Sequence, residues 1–324
     1  MSFSGDSGAA NGVVGRKLIL RVCGNDIRVE GRLIRIARLE LDKYEFLDDP
    51  GALLERLRKS GIRIDLFTFL QKLSERLQKS PDRSPKYDYP MQWDNLAVLP
   101  VTTFDHWWNQ QIRSYPRNRA RQAEKKGVVV REVPFDDALV RGIWEVYNEC
   151  PVRQGTAFMH YGKDIETVHR LSATYLDRSI FIGAFLGNHL IGFIKLVTDQ
   201  TRTQANMMHI VSMVRHRDKA PTNALIAQAV RSCAERGIPY LVYQNFAYGK
   251  KQGDSLSHFK EVNGFQRINL PRYYVPLTCT GWIALRLGLQ HRFVHRLPEP
   301  VAAKLRELRR AWYDRKFHTI PEAT

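Results

Sequence analysis

Residues 207–237 read MMHIVSMVRHRDKAPTNALIAQAVRSCAERG. An apolar strand runs into a short basic loop, and the loop runs into a helix expected over Asn223–Arg236 and closed by Gly237. A helix N-terminus presents unpaired backbone N–H groups and a partial positive charge, so such a junction can seat a phosphate. Arg215, His216, Arg217 and Lys219 add charge beside it, while Ala220 and Thr222 are small enough for close backbone approach. The candidate anion-binding residues are Arg217, Lys219, Ala220, Thr222 and Asn223.

Working outward, the same rhythm holds on both sides. Upstream, FIGAFLGNHLIGFIKLV (181–197) is a hairpin with Gly187-Asn188 as its two-residue turn. VVVREV (128–133) is a strand, and helices are expected over Asp136–Asn148 and Asp164–Leu176. The stretch WWNQQIRSYPRNRARQAEKK (107–126) reads as one helix stopped by Gly127. Downstream, IPYLVYQNF (238–246) is a strand, Ser255–Val262 a short helix ending before Gly264, and RYYVPLT (272–278) a last strand. Nearer the N-terminus, 16–47 alternates as strands. Residues 51–79 have leucines spaced by threes and fours, which predicts a helix. SPDRSPKYDYP (80–90) is a proline-rich connector, which puts the main boundary near 81–95. The expected organisation is a flexible leader over 1–15, an N-terminal α/β companion over 16–94, a main domain over 95–280 and a basic amphipathic helical tail over 281–324.

Composition narrows the function. The 324 residues carry 50 Lys and Arg against 33 Asp and Glu, a net charge of +17. That balance favours anionic partners: phosphate groups, nucleic acid, acidic carriers or anionic lipid. Much of it lies in Arg113–Arg131, with seven basic residues against one Glu, and in the tail from Trp282 to Lys316. No run of eighteen apolar residues predicts a transmembrane span. The four cysteines are far apart, which argues against a disulfide framework or a thiolate metal site and suits a reducing cytoplasm. His291 and His295 have no third ligand, so no metal is expected. Zinc-finger, RRM and basic-zipper signatures are absent.

The order strand, basic loop, helix, strand, short helix, Gly-Phe resembles the GNAT superfamily of acyl-CoA N-acyltransferases. Arg217-x-x-Ala220-x-Thr222 stands where that family has its pyrophosphate loop, Q/R-x-x-G-x-G/A, and Gly264-Phe265 closes the series. RNRARQAEKKGVVVREV (117–133) and Phe259-Lys260 look like the Fem-type peptidyltransferase branch of the same fold. The resemblance spans about residues 100–280. It implies a mixed, mostly antiparallel sheet flanked by helices. It also implies direct attack of a primary amine on an activated acyl donor, with no covalent enzyme intermediate. The donor is acetyl-CoA or another acyl-CoA, or else an acyl carrier protein or aminoacyl-tRNA. The acceptor is an amino sugar, an amino acid or a cell-envelope precursor.

The resemblance also places roles. Backbone N–H groups around Ser212, Met213 and Val214 would hold the oxyanion and donor, with the 217–223 loop on the phosphates. His209 on the central strand, Glu149 in YNECPVRQGTAFMHYG (147–162) and Tyr248 are the candidate acid–base residues. Arg153, Gln154 and Lys260 are candidate substrate contacts. Trp107 and Trp108 either bury against the sheet or form a stacking platform for nucleic acid. The tail face Val301, Leu305, Leu308 and Trp312 either packs back or lies on an anionic membrane at the cytoplasmic side. A catalytically silent module that holds an anionic partner is the non-enzyme alternative.

Overall fold

The computed structural model describes residues 18–40, 42, 45–47, 49–73, 85–153, 156–247, 255–289, 304, 307 and 308. The expectations for the leader, the first five residues of the connector, the two histidines near 293 and most of the tail lie outside these residues. The chain divides into two compact units, Met1–Gln92 with Pro271–Arg292, and Trp93–Leu270 with Phe293–Thr324. The expected boundary near 94 differs from this by two residues. The larger difference is the return of the chain: residues 271–280, expected in the main domain, belong with the first unit.

In the first unit, β1 (Leu18–Val22), β2 (Asn25–Glu30), β3 (Ile36–Leu39) and β4 (Leu66–Leu70) lie side by side. Helix α1 (Pro50–Arg58) starts where Asp49 caps the Gly51 N–H and Pro50 presets the first turn. The helix expected over 51–79 is therefore cut short. LFTFL is a strand, fully buried along its length. A strand buried on both faces has no alternation, so its leucine spacing passes for helical. Strand β4 pairs parallel with β3 and antiparallel with the end of β13 (Gln266–Pro276), where Leu66 faces Pro276 and Leu70 faces Arg272. That pairing is why the chain returns to this unit. Helix α7 (Cys279–Arg286) follows, capped by Thr278.

Gly281 in α7 allows a close approach. A Cβ built there would lie 1.9 Å from the carbonyl oxygen of Asp65, whose buried carboxylate takes the Thr278 hydroxyl at 2.8 Å. Gly281→Ala should destabilise this unit by about 2–3 kcal/mol. A urea midpoint shift checks it, and an unchanged midpoint would show that the helix slides without cost.

The second unit contains β5 (Met91–Pro100), α2 (Ser114–Lys125), β6 (Val128–Val133), α3 (Asp137–Asn148), the two-residue strands β7 (Val152–Arg153) and β8 (Thr156–Ala157), and α4 (Ile165–Ser172). It continues through β9 (Ser179–Leu186), β10 (His189–Thr198), β11 (Ala205–Ser212), α5 (Pro221–Glu235), β12 (Tyr240–Asn245) and α6 (Ser255–Val262). Its sheet order is β5-β12-β11-β10-β9-β6, antiparallel except for the β12–β11 pair. The single long helix expected over 107–126 is two pieces. A π-helical turn, Trp107–Gln111, ends at the extended Ile112, and α2 restarts at Ser114 with Pro116 in its first turn, where its missing N–H costs nothing.

Alternating residues of the central strands feed two cores. Ile182 and Ile194 pack with Leu225, Ile226 and Val230 of α5. Phe181 and Phe193 pack with Val140, Ile143 and Tyr147 of α3. The expected mixed, mostly antiparallel sheet flanked by helices is the fold of this unit. Among the described residues no helix is long and apolar enough to cross a membrane.

Candidate functional site

The parallel ladder between β11 and β12 is short. Ala205 faces Leu241 and Asn206 faces Val242, and then pairing stops although the strands run on to Ser212 and Asn245. Strand β12 bends at the same level: Gln244 has a φ of 46°, and its register against β5 shifts between Val242 and Asn245. The centre of the sheet thus opens towards one end. A second irregularity sets what lies there. The β10–β11 register slips at Met208, so Lys195 pairs with His209 while Leu196 pairs with Met207. Such a bulge re-aims side chains. Here Met207 points into the α5 core, whereas His209 lies with Tyr147 of α3.

His209 is half-buried in a titratable cluster. Its Nδ1 is 3.4 Å from the Tyr147 hydroxyl, and the His160 ring stands 5.5 Å away, edge-on. His160 in turn stacks on Tyr147 at 4.4 Å and has its Nδ1 3.3 Å from Lys163 Nζ. Burial, then His160, Lys195 and Lys163, push His209 down to about 3. Burial, Lys163 and Arg153 push His160 down to about 4. Both imidazoles are therefore neutral at neutral pH. Lys195 is wholly buried, and its ammonium donates to the carbonyls of Ser172 and Thr174 and to the Thr174 hydroxyl, which tie the end of α4 to the sheet. Burial brings it down to about 8.

At the strand end the expected oxyanion donors are already used. The Met213 N–H donates to Ile191 O at 2.8 Å. The Val214 and Arg215 N–H groups donate to the two oxygens of Glu149, at 3.0 and 2.8 Å. Arg153 Nη2 reaches the same carboxylate at 3.3 Å and also donates to Val146 O, while Nη1 donates to Ser212 O at 2.6 Å. Glu149, expected as an acid–base residue, has its carboxylate seated as an internal anion on backbone N–H groups. Arg153 is likewise a clamp between α3 and β11, with its guanidinium 4.5 Å over Phe158.

The loop behaves similarly. Residues Val214–Lys219 form a 3-10 turn, and Ala220 takes a left-handed φ of 53° before Pro221 opens α5. Pro221 has no N–H, and those of Asn223 and Ala224 point back to the Ala220 carbonyl, at 3.2 and 3.5 Å. Ser212 Oγ and Thr222 Oγ1 bond each other at 3.0 Å. Arg119 and Lys126 of the α2 end hold the carbonyls of Arg217 and Asp218. Asn223 Nδ2 is buried and finds no partner among the described residues. Arg215 and Arg217 are exposed, and Lys219 is half-buried beside Asp218.

Lys260 is wholly buried, not placed for a surface contact. Its ammonium donates to Asn245 O and lies 4.6 Å from the Tyr243 ring, which fastens α6 to the end of β12. Tyr248 and Gln154 lie outside the described residues. Reading residues alone missed Tyr147, His160, Lys163 and Lys195. The signal for the first two was the aromatic run in 147–162, which was read for Glu149 instead.

No family model matches the chain. No curated protein matches it in sequence. Solved structures do match in shape. The C-terminal domain of a putative lysylphosphatidylglycerol synthetase from Agrobacterium fabrum is 14% identical, with 84% of this chain and 88% of that one covered and a TM-score of 0.53. FemX is 12% identical over 79% of this chain and 87% of its own, at 0.54. The L-PGS of Bacillus licheniformis is 12% identical over 84% and 88%, also at 0.54. With the opened parallel pair, the strand–turn–helix junction and these neighbours, the chain has a GNAT-like fold of the Fem type.

Proposed function

We propose that this chain is an aminoacyltransferase that takes its aminoacyl group from aminoacyl-tRNA. The observation that carries the reading is the state of the anion seats. Glu149 fills the backbone N–H groups at the strand end, and the first turn of α5 bonds back to Ala220. Arg215 and Arg217 stand exposed, with half-buried Arg119 on the adjoining α2. Side-chain charge with little backbone clasp suits an extended polyanion better than a single diphosphate. The name of one neighbour of the same fold, lysylphosphatidylglycerol synthetase, agrees with an aminoacyl group and a phosphatidylglycerol acceptor.

In the proposed step the acceptor amine or hydroxyl attacks the ester carbonyl of the donor. A bond forms from that nucleophile to the carbonyl carbon, and the ester bond to the terminal ribose breaks. The neutral imidazole of His209 takes the proton of the nucleophile and passes it to the ribose oxygen, which leaves as a hydroxyl while the imidazole returns to its neutral form. Tyr147 and His160 hold the imidazole in place. Lys260 and the Glu149–Arg153 clamp are positioning residues. Aminoacyl-tRNA places the reaction in the cytoplasm, and phosphatidylglycerol vesicles are the first acceptor to try. A second reading, acyl-CoA as donor to a primary amine, has one observation in its favour: the unpartnered Asn223 Nδ2 at the head of α5.

The test uses the full chain with labelled aminoacyl-tRNA and phosphatidylglycerol vesicles, beside calorimetric titration with acetyl-CoA. The expected result is label in the lipid fraction, tRNA retention that falls steeply with salt, and no saturable CoA binding. Saturable CoA binding removed by Arg217→Glu would transfer the donor site to the second reading. No transfer to lipid or to an amine-bearing envelope precursor, with no tRNA retained, would leave a silent module.

A further inference from the structure

A cleft of about 550 Å³ lies between α2 and α5, over the edge strand β6. Its floor is apolar, made by valines of β6 and alanines of α2 and α5. Phe104 and Trp108 form one wall, stacked at 5.6 Å with 22° between their planes. Arginines lie over both rings: the Arg231 guanidinium is 4.0 Å from the Phe104 centroid, and that of Arg121 is 5.6 Å from Trp108. The order is guanidinium, ring, ring, guanidinium. Among the described residues, the side chains of Arg121, Arg231, Gln228 and Glu124 make no hydrogen bond or ion pair. Glu124 is the one acid lining the cleft.

Guanidinium planes held on aromatic faces keep their N–H forks fixed and unspent, a good receptor for phosphate oxygens. Flat cation–ring faces over an apolar floor accept a nucleobase of any identity. Trp107, by contrast, is fully buried with its Nε1 on Asn263 O at 2.9 Å, so of the adjacent pair only Trp108 faces the cleft. The helix that lines the cleft also braces the basic loop: Arg119 of α2, pointing away from Arg121, holds the Arg217 carbonyl. A concave site with one cation on each of its two helices fits a strand rather than a membrane plane.

We propose that the α2–α5 cleft binds a single-stranded ribonucleotide segment, with phosphates on the N–H forks of Arg121 and Arg231 and a base over the apolar floor, stacked on the guanidinium plane that covers Trp108. Its identity as part of the donor tRNA rests on the proposed function, while the binding itself does not. The probe is a fluorescently labelled single-stranded oligoadenylate, titrated at several salt concentrations, with AMP and phosphatidylglycerol vesicles as separate arms. The double variant Arg121→Gln/Arg231→Gln keeps the rings and the floor. It should bind the oligonucleotide at least tenfold more weakly, with the salt slope reduced by about 1.4, the share of two phosphates on a single strand. Unchanged affinity and slope would overturn the proposal. So would AMP binding as tightly as the oligonucleotide, which would mean a free-nucleotide site. Vesicle binding lost in the double variant while RNA binding stays would mean a lipid headgroup. Aminoacyl transfer, assayed in the same variant, separates the two readings. RNA binding that the double variant weakens, with no transfer by the parent, sinks only the proposed function, and transfer by the parent with RNA binding unchanged in the variant sinks only the cleft.

Discussion

Glu149→Ala is expected to lose about 3 kcal/mol of folding stability and, in the same protein, to uncover an anion site. Glu149 is the C-cap residue of α3, and its side chain is only 9% exposed. Three donors converge on it: the Val214 and Arg215 N–H groups and the Arg153 guanidinium. Hydrogen bonds to a charged acceptor contribute about 1.5–3 kcal/mol each, and a cation stripped of its partner in a half-buried site adds to the loss. Val214 and Arg215 stand at the surface, where water recovers part of this, so a figure near 3 is expected rather than the full sum. The check is a lower urea midpoint with an unchanged slope. Adding phosphate or acetyl-CoA should then raise the melting temperature of the variant and not that of the parent. If stability holds within 0.5 kcal/mol, the carboxylate is not seated as described. If neither anion stabilises the variant, the backbone N–H groups are not a latent anion site.

The contrast between Glu149 and the hairpin shows what a sequence carries. The Gly187-Asn188 turn was legible because local chemistry decides it: Gly187 has a φ of 58° and Leu186 pairs with His189 across the two residues. The helix start at Asp136 and the closing Gly237 are local in the same way. Glu149 was legible as a residue of interest but not in its role, because its partners lie 65 and 66 positions away. His209 was placed on the right strand. Which face it takes depends on the bulge at Met208, and no residue type announces a bulge. The burial of Lys195 and of Lys260, the second expected as a substrate contact, was not legible for a related reason. Each is satisfied by carbonyls far away in the chain, Ser172 and Thr174 for one and Asn245 for the other. Strand β4 failed for want of any period, since a fully buried strand offers none to read.

The histidine pair should make the protein acid-sensitive well above the carboxylate range. Both imidazoles start from 6.5 and are pushed down, His209 to about 3 and His160 to about 4, with burial the leading cause for each. The sign follows from proton counting. Above pH 6.5 both are neutral, folded or unfolded, and they contribute no pH dependence. Below it the unfolded chain takes up protons that the folded chain refuses, so stability falls as the pH drops from 6.5 towards the folded values. Each group contributes up to about 1.4 kcal/mol per pH unit in that window. His160 is the more exposed of the two, and solvent screening reduces its share. Between pH 6.5 and 4.5 the pair should remove about 3–4 kcal/mol. Asp65, also held below its usual value against the opposing effect of burial, acts with the same sign but only at lower pH. The measurement is the urea midpoint at pH 7.5, 6.5, 5.5 and 4.5 for the parent and for His160→Gln/His209→Gln. A steep fall in the parent that is largely absent from the double variant is the expected result. A parent curve flat from pH 6.5 to 5 would mean that the imidazoles take up protons in the folded state and would overturn the downward shift described here. His209→Gln alone should also slow aminoacyl transfer by about 100-fold or more, since a positioned proton acceptor contributes about that much. The parent should keep an unprotonated His209 throughout its stable range. Its rate should therefore decline at low pH only in step with unfolding, and a separate kinetic titration near pH 6.5 would assign the proton transfer to another group.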